Sequence, residues 1–306
     1  MFIIAFFLFI SFIVFPVDAY AWGAGVHLEV GLHVLDNLHL LPAVIHMVLE
    51  AHPQDFLYGC ISADITIGKK FAINYMNHCH AWRMGKKILK SAEADHQKAC
   101  AYGYLTHLAA DTIAHSYFVP FKMIRSFNTV LLKHTYWEIR LEAEVAPYIW
   151  KIAHEIAKKK FNDNDAMMRS VLSNTIFSFN TNKRIFNSIL LLSRLRQWQK
   201  MLRSLSVSTK WPLHDNAKEE YLGLAKNAAI SILVDMEKSP YWHADPTGKR
   251  ALNTAKKIRK IMTRRWFEGG LNDKQAADLI QELKPLFLEK ITNPHHYGEL
   301  LNKLTP

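Results

Sequence analysis

Two histidines and an aspartate recur at four-residue intervals in His107-Leu-Ala-Ala-Asp111-Thr-Ile-Ala-His115, and nineteen residues on, His134 and Glu138 repeat the interval. Four residues on an α-helix carry a side chain about 40° past a full turn, so His107, Asp111 and His115 share one slowly drifting stripe. Their neighbours Leu105, Leu108, Ala109, Ile113 and Ala114 are apolar, which puts the stripe on a mostly buried helix. Burying these polar side chains without partners costs several kcal/mol per group. A metal ion held between this wall and a facing wall of His134 and Glu138 removes the cost. Imidazole and carboxylate without thiolate suit zinc in a hydrolytic site.

The rest of the chain supports a helical scaffold. Half of its 306 residues are apolar, helical periodicity dominates, and strand-like alternation is scarce. The glycines and prolines act mostly as punctuation. Helices are expected near 24–40, 84–100, 101–118, 129–146, 148–160, 165–178, 183–205, 215–236, 247–267 and 273–290, the last opened by a capping box of Asn272 and Gln275. No internal repeat or long linker interrupts them. The expectation is an all-α, single compact multi-helix bundle, with the metal site between helices of its N-terminal half.

Residues 2–17 are almost wholly apolar and lead into Asp18-Ala19-Tyr20-Ala21, a small-x-small cleavage pattern. The reading is a signal peptide over 1–21, export to a secreted or periplasmic location, and a mature chain 22–306 starting at Trp22. An uncleaved membrane anchor is the alternative, because no Lys or Arg precedes the apolar run, which is itself short for a span of about 20 residues.

A mature start of Trp22-Gly-Ala-Gly-Val-His27, followed by these helical motifs, resembles the zinc-dependent phospholipase C superfamily, which also contains single-strand nucleases. The resemblance is strongest over 22–147, and 148–306 is helical and unassigned. It implies three zinc ions. Trp22, through its free amine and carbonyl, and His27 match the ligands of one. Tyr58-Gly-Cys-Ile-Ser-Ala-Asp64-Ile resembles the family element whose Asp contacts zinc and acts as a base, which makes Asp64 the catalytic candidate. In Asn77-His78-Cys79-His80-Ala81-Trp82, His80 fits the next ligand best and His78 is the alternative. His107 and Asp111 complete the first zinc, Asp111 also reaching the ion of Trp22 and His27. His115, His134 and Glu138 match the remaining one. The three-residue gap between Asp111 and His115 is shorter than the five of secreted bacterial phospholipases C. It is similar to glycosylphosphatidylinositol-specific phospholipase D, as is Gly25-Val26-His27-Leu28-Glu29-Val30-Gly31.

Clustered zinc ions lower the pKa of a bound water and offset charge on phosphoryl oxygens, so no covalent nucleophile is needed. The chain carries no GxSxG elbow, P-loop or GxGxxG fingerprint. The expected activity is cleavage of phospholipid headgroups. The alternatives are single-strand nuclease activity, phospholipase D-type cleavage, and a non-catalytic membrane-surface module with a structural metal site.

Net charge is +11, and residues 249–265 carry eight basic and no acidic side chains. Apolar positions from Ile185 to Leu205 mark a second basic helix. Such helices suit membrane-surface contact, or nucleic acid as an alternative substrate, though solvated faces and core stripes have the same look. Cys60, Cys79 and Cys100 allow at most one internal disulfide, and Cys79 is not expected to bind metal. Tyr117, Phe118 and Trp137 flank the ligands and either line a cleft or pack the bundle.

Overall fold

The computed structural model describes residues 22–66, 79–129, 134–172, 177–193, 215–294, 297 and 299–302. Every regular element among them is helical. In chain order they are α1 (Ala24–Asp36), α2 (Ala43–Ala51), α3 (Pro53–Ser62), α4 (Trp82–Lys90), α5 (Asp95–Ile113), a π-turn (Ala114–Phe118), α6 (Val119–Arg125), α7 (His134–Glu142), α8 (Pro147–Lys158), α9 (Asn162–Val171), α10 (Phe179–Ser193), α11 (Asp215–Asp235), α12 (Lys249–Phe267), α13 (Asp273–Lys290) and α14 (Glu299–Asn302). The all-α expectation holds. The proposed signal peptide, His78, the second basic stripe beyond 193, and His295 and His296 lie outside the described residues.

Helix α5 is the central post. Its residues 103–113 are all buried, and α1, α2, α3, α4, α9 and α11 pack around it. The closest of these contacts is with α3, and two glycines permit it. A Cβ on Gly59 would lie 2.0 Å from the Cys100 carbonyl oxygen, and one on Gly103 would lie 2.0 Å from that of Phe56. The two backbones therefore touch where they cross. The core around them is continuous, running from Trp22 through Leu108 and Ile149 to Ile258 and Leu300.

Among the differences from the expected helices, three have a local reason. The break expected after residue 100 falls at 91–94 instead, where Gln97 Oε1 accepts the backbone N–H groups of Glu93 and Ala94 (2.9 and 3.1 Å) and so starts α5. The short helices α2 and α3 were not anticipated, since α3 is buried along most of its length and lacks an amphipathic signature. Finally, the helix expected to stop at 118 continues through Pro120. Proline has no N–H to give the Ser116 carbonyl and its ring crowds that carbonyl, so the backbone widens into a π-turn in which Val119 N–H reaches back to Ala114. The freed Ser116 carbonyl instead accepts Tyr297 O–H at 3.2 Å. The Asn272 and Gln275 capping box is present, with both reciprocal bonds at 2.9 Å.

Candidate metal centre

The crossing of α3 and α5 carries chemistry at its end. Asp64 sits on the short 3-10 turn that closes α3 (Ala63–Ile65), one turn of α5 separates Gly103 from His107, and His80 enters just before α4. His80 Nε2 lies 3.3 Å from Asp64 Oδ1 and 3.2 Å from Asp111 Oδ2. His107 Nε2 is 3.3 Å from Asp111 Oδ2 and 3.1 Å from His80 Nε2. All four side chains are buried. Helix α1 adds His27, whose ring stacks on His107 at 3.7 Å and whose Nε2 stands 3.4 Å from Asp111 Oδ1.

These spacings are those of ligands around a common centre. Neither ring nitrogen of His27 and neither carboxylate oxygen of Asp111 makes a hydrogen bond of acceptable geometry, although all are buried. Atoms bound about 2.0–2.1 Å from a tetrahedral zinc stand roughly 3.3–3.4 Å apart, close to the separations around Asp111. Two overlapping sets, His80 with His107 and Asp111, and His27 with Asp64 and His107, could each hold an ion. The residues present therefore fit zinc.

Electrostatics point the same way. Burial disfavours charge on Asp111, yet the neighbouring His107 and His115 hold its carboxyl well below the usual range. Burial likewise opposes a charged His107, but Asp111 and Asp64 raise it. His27 is lowered by burial and by His107, which favours a neutral imidazole.

Backbone groups fix the ring orientations. His107 Nδ1 donates to the Cys60 carbonyl at 2.8 Å, and His115 Nδ1 donates to the Pro246 carbonyl at 2.6 Å. A carbonyl only accepts, so each Nδ1 carries a proton, and Nε2 is the ring atom turned toward the neighbouring carboxylates. His115 Nε2 stands 3.6 Å from Glu138 Oε1. Burial again opposes protonation, but Asp111 and Glu138 push His115 up to about 9. His134 opens α7, one turn before Glu138. Cys79 Sγ is 3.1 Å from His80 Nδ1, on the side of the ring away from Nε2, and all three cysteines are buried and outside any disulfide.

Trp22 is fully buried, edge-on to Phe118 at 5.8 Å, at the N-terminal end of the helix that carries His27. Tyr117, Phe118 and Trp137 are also buried, and Tyr117 O–H donates to Glu220 at 2.6 Å. Of their two readings, packing is the observed one. His46 Nε2 lies 3.7 Å from a Glu50 carboxylate oxygen and His96 Nε2 3.3 Å from one of Asp163.

Several contributors were missed in the sequence. Glu142 continues the series His134, Glu138 by one more interval of four, a legible sign that went unread. Its carboxylate accepts Gly25 N–H at 2.8 Å and Val26 N–H at 3.1 Å, capping α1 from another helix, and a Cβ on Gly23 would lie 2.3 Å from it. Burial pushes Glu142 up to about 7. The second contributor is the segment 242–248. Trp82 Nε1 donates to the Ala244 carbonyl at 3.0 Å and Trp82 stacks on Trp242, while Pro246 holds His115. Asp245 accepts from Thr247 N–H and Lys249 N–H to close the turn. Gly248 then has φ +57°, and a Cβ there would lie 2.3 Å from His115 Cβ.

A family model described as zinc-dependent phospholipase C matches residues 26–183, a stretch that contains the cluster from His27 to Glu138. No curated protein and no solved structure matches the chain.

Proposed function

The chain belongs to the zinc-dependent phospholipase C family, and from that premise we propose that it hydrolyses phospholipid headgroup phosphodiesters by a phospholipase C-type reaction, using three zinc ions. Asp64, His80, His107 and Asp111 would hold one ion; Trp22, His27 and the second Asp111 oxygen another; and His115, His134 and Glu138 the third. Bound zinc supplies an acidified water and offsets charge on the phosphoryl oxygens.

The chain's own residues do the rest. Asp64, one of the buried cluster, accepts the proton of the attacking water through its carboxylate. The water oxygen bonds to phosphorus, the bond from phosphorus to the glyceryl oxygen breaks, and that oxygen leaves as diacylglycerol, taking up the proton that Asp64 received. Asp111, locked in its ionised form, keeps two groups of ligands in register. The Cys60 and Pro246 carbonyls prevent His107 and His115 from turning their lone pairs away. Export with cleavage after Ala21 belongs to the same reading, because it frees the Trp22 amine.

The single observation that carries this proposal is the buried quartet of Asp64, His80, His107 and Asp111, with facing atoms 3.1–3.3 Å apart. Elemental analysis of the processed protein tests it, with about three zinc per chain expected; one or none overturns the ligand assignment. Assays on phosphatidylcholine, phosphatidylinositol and single-stranded DNA test the substrate. Activity on DNA alone makes the protein a nuclease, phosphatidic acid instead of diacylglycerol makes the cleavage D-type, and lipid binding without turnover leaves a non-catalytic module.

A further inference from the structure

The family's chemistry does not account for α12. Its inner face, Ala251, Thr254, Ala255, Ile258 and Met262, is buried against α6 and the π-turn. Its outer face is cationic from end to end. At 100° per residue, Lys249, Arg250, Lys256, Lys257, Lys260 and Arg264 fall within an arc of about 120°, and all six are exposed. The stripe is about 22 Å long at 1.5 Å per residue. Arg264 pairs with Glu268, but Lys256, Lys257 and Lys260 have no carboxylate partner among the described residues. Lys256, Lys260 and Arg264 also stand four residues apart, a spacing at which like charges repel. Phe267, 74 % exposed, continues the same line at the C-terminal end.

We propose that this face of α12 is a docking surface for the anionic headgroups of a lipid bilayer. A straight cationic stripe ending in an exposed aromatic matches a plane of phosphates above an apolar layer. Among the described residues no helix is long and apolar enough to cross a membrane. The stripe also begins beside the candidate metal centre, since Gly248, the residue before α12, abuts His115. This inference rests on the phospholipid reading for its substrate but not for its binding step.

The test is the processed, zinc-loaded protein and its K256Q/K257Q/K260Q variant, whose changes are all on the exposed face. Sedimentation with phosphatidylcholine vesicles, with and without phosphatidylserine, reads the binding. The wild type is expected to bind the phosphatidylserine vesicles, less so as salt rises, and the variant about 100-fold more weakly. Phe267→Ala is expected to weaken binding to the same vesicles without changing its salt dependence. Hydrolysis of a short-chain, monomeric phosphatidylcholine is expected to be equal in wild type and triple variant, while hydrolysis on phosphatidylserine vesicles falls. Equal vesicle binding by wild type and triple variant overturns the proposal, as does a wild type that ignores vesicles and binds single-stranded DNA through these lysines. If the wild type binds vesicles as expected yet hydrolyses neither substrate, the hydrolase reading fails and the docking surface stands.

Discussion

The N-terminal and C-terminal parts of the molecule meet at His115 and contribute to it in different chemical currencies. From the N-terminal side come side chains: Glu138 faces the His115 ring, and Asp111 shares its helix. From residues 242–248 come a carbonyl, a positive φ and the absence of a Cβ. A ligand must be a particular residue type, whereas any residue can present a carbonyl. One part of a site can thus be read from residue identity while its support, equally close to the ligand, carries almost no compositional mark.

The contrast is sharpened most by removing Asp111, the residue proposed to serve two ions. Asp111→Asn is expected to lower phosphodiester hydrolysis by about 10³-fold or more and to reduce bound zinc; full zinc content with full activity would remove Asp111 from the centre. Next comes the C-terminal support. Gly248→Ala and Gly269→Ala both place alanine at positive φ, at a backbone cost of roughly 1–2 kcal/mol, but nothing lies within 4 Å of a Cβ on Gly269. The expected outcome is the larger destabilisation in Gly248→Ala, whose added Cβ also meets His115 at 2.3 Å, and loss of zinc from that variant alone. Equal zinc content in the two variants would reduce the 242–248 segment to ordinary packing.

Two smaller effects, both on the N-terminal side, are read by pH. Glu142 is raised from 4.5 to about 7, so the folded chain binds more protons than the unfolded one between those values. Its contribution is complete below about pH 4.5 and is lost as pH rises through about 7. Glu142→Gln should cost about 1 kcal/mol through one weakened cap bond and flatten that decline in denaturant titrations; an unchanged slope would mean that Glu142 does not titrate there. Lys122 is the opposite case. Its ammonium lies over the Trp137 and Tyr221 rings at 5.5 and 5.3 Å, and burial, with Arg125 nearby, lowers it from 10.5 to about 7. The folded chain then binds fewer protons between those values, so stability rises with pH across the window. Lys122→Met is expected to raise Tm by a few degrees near pH 6, roughly 2–4 °C per kcal/mol gained, with the gain shrinking toward pH 10.

Most of the architecture was legible because it rests on periodicity. The helices now labelled α8, α11, α12 and α13 fall within a few residues of their expected bounds, and the stripe of His107, Asp111 and His115 lies on one continuous helical run. What escaped was set by tertiary contact. The all-round burial of α3 erased its amphipathic pattern. The passage through Pro120 required knowing that Tyr297 would take over the Ser116 carbonyl. For the site, His107, Asp111, His115 and Glu138 were named from residue type and spacing, and His27, Asp64 and His80 from the family resemblance; the structure brings them into neighbouring buried groups. Glu142 was visible as a third member of a four-residue series. The 242–248 segment offered no comparable pattern, because its decisive groups belong to the main chain.

The glycine contact between α3 and α5 has a consequence for the aperture of the cluster. Gly59 and Gly103 bind nothing, yet they act as a shim of zero thickness behind two facing jaws, with Asp64 on one and His107 on the other. A methyl group on either glycine would wedge the helices apart one turn from Asp64 and His107. The gap between the jaws, and with it the size of any ion they could grip, depends on two hydrogen atoms that no list of candidate ligands would include.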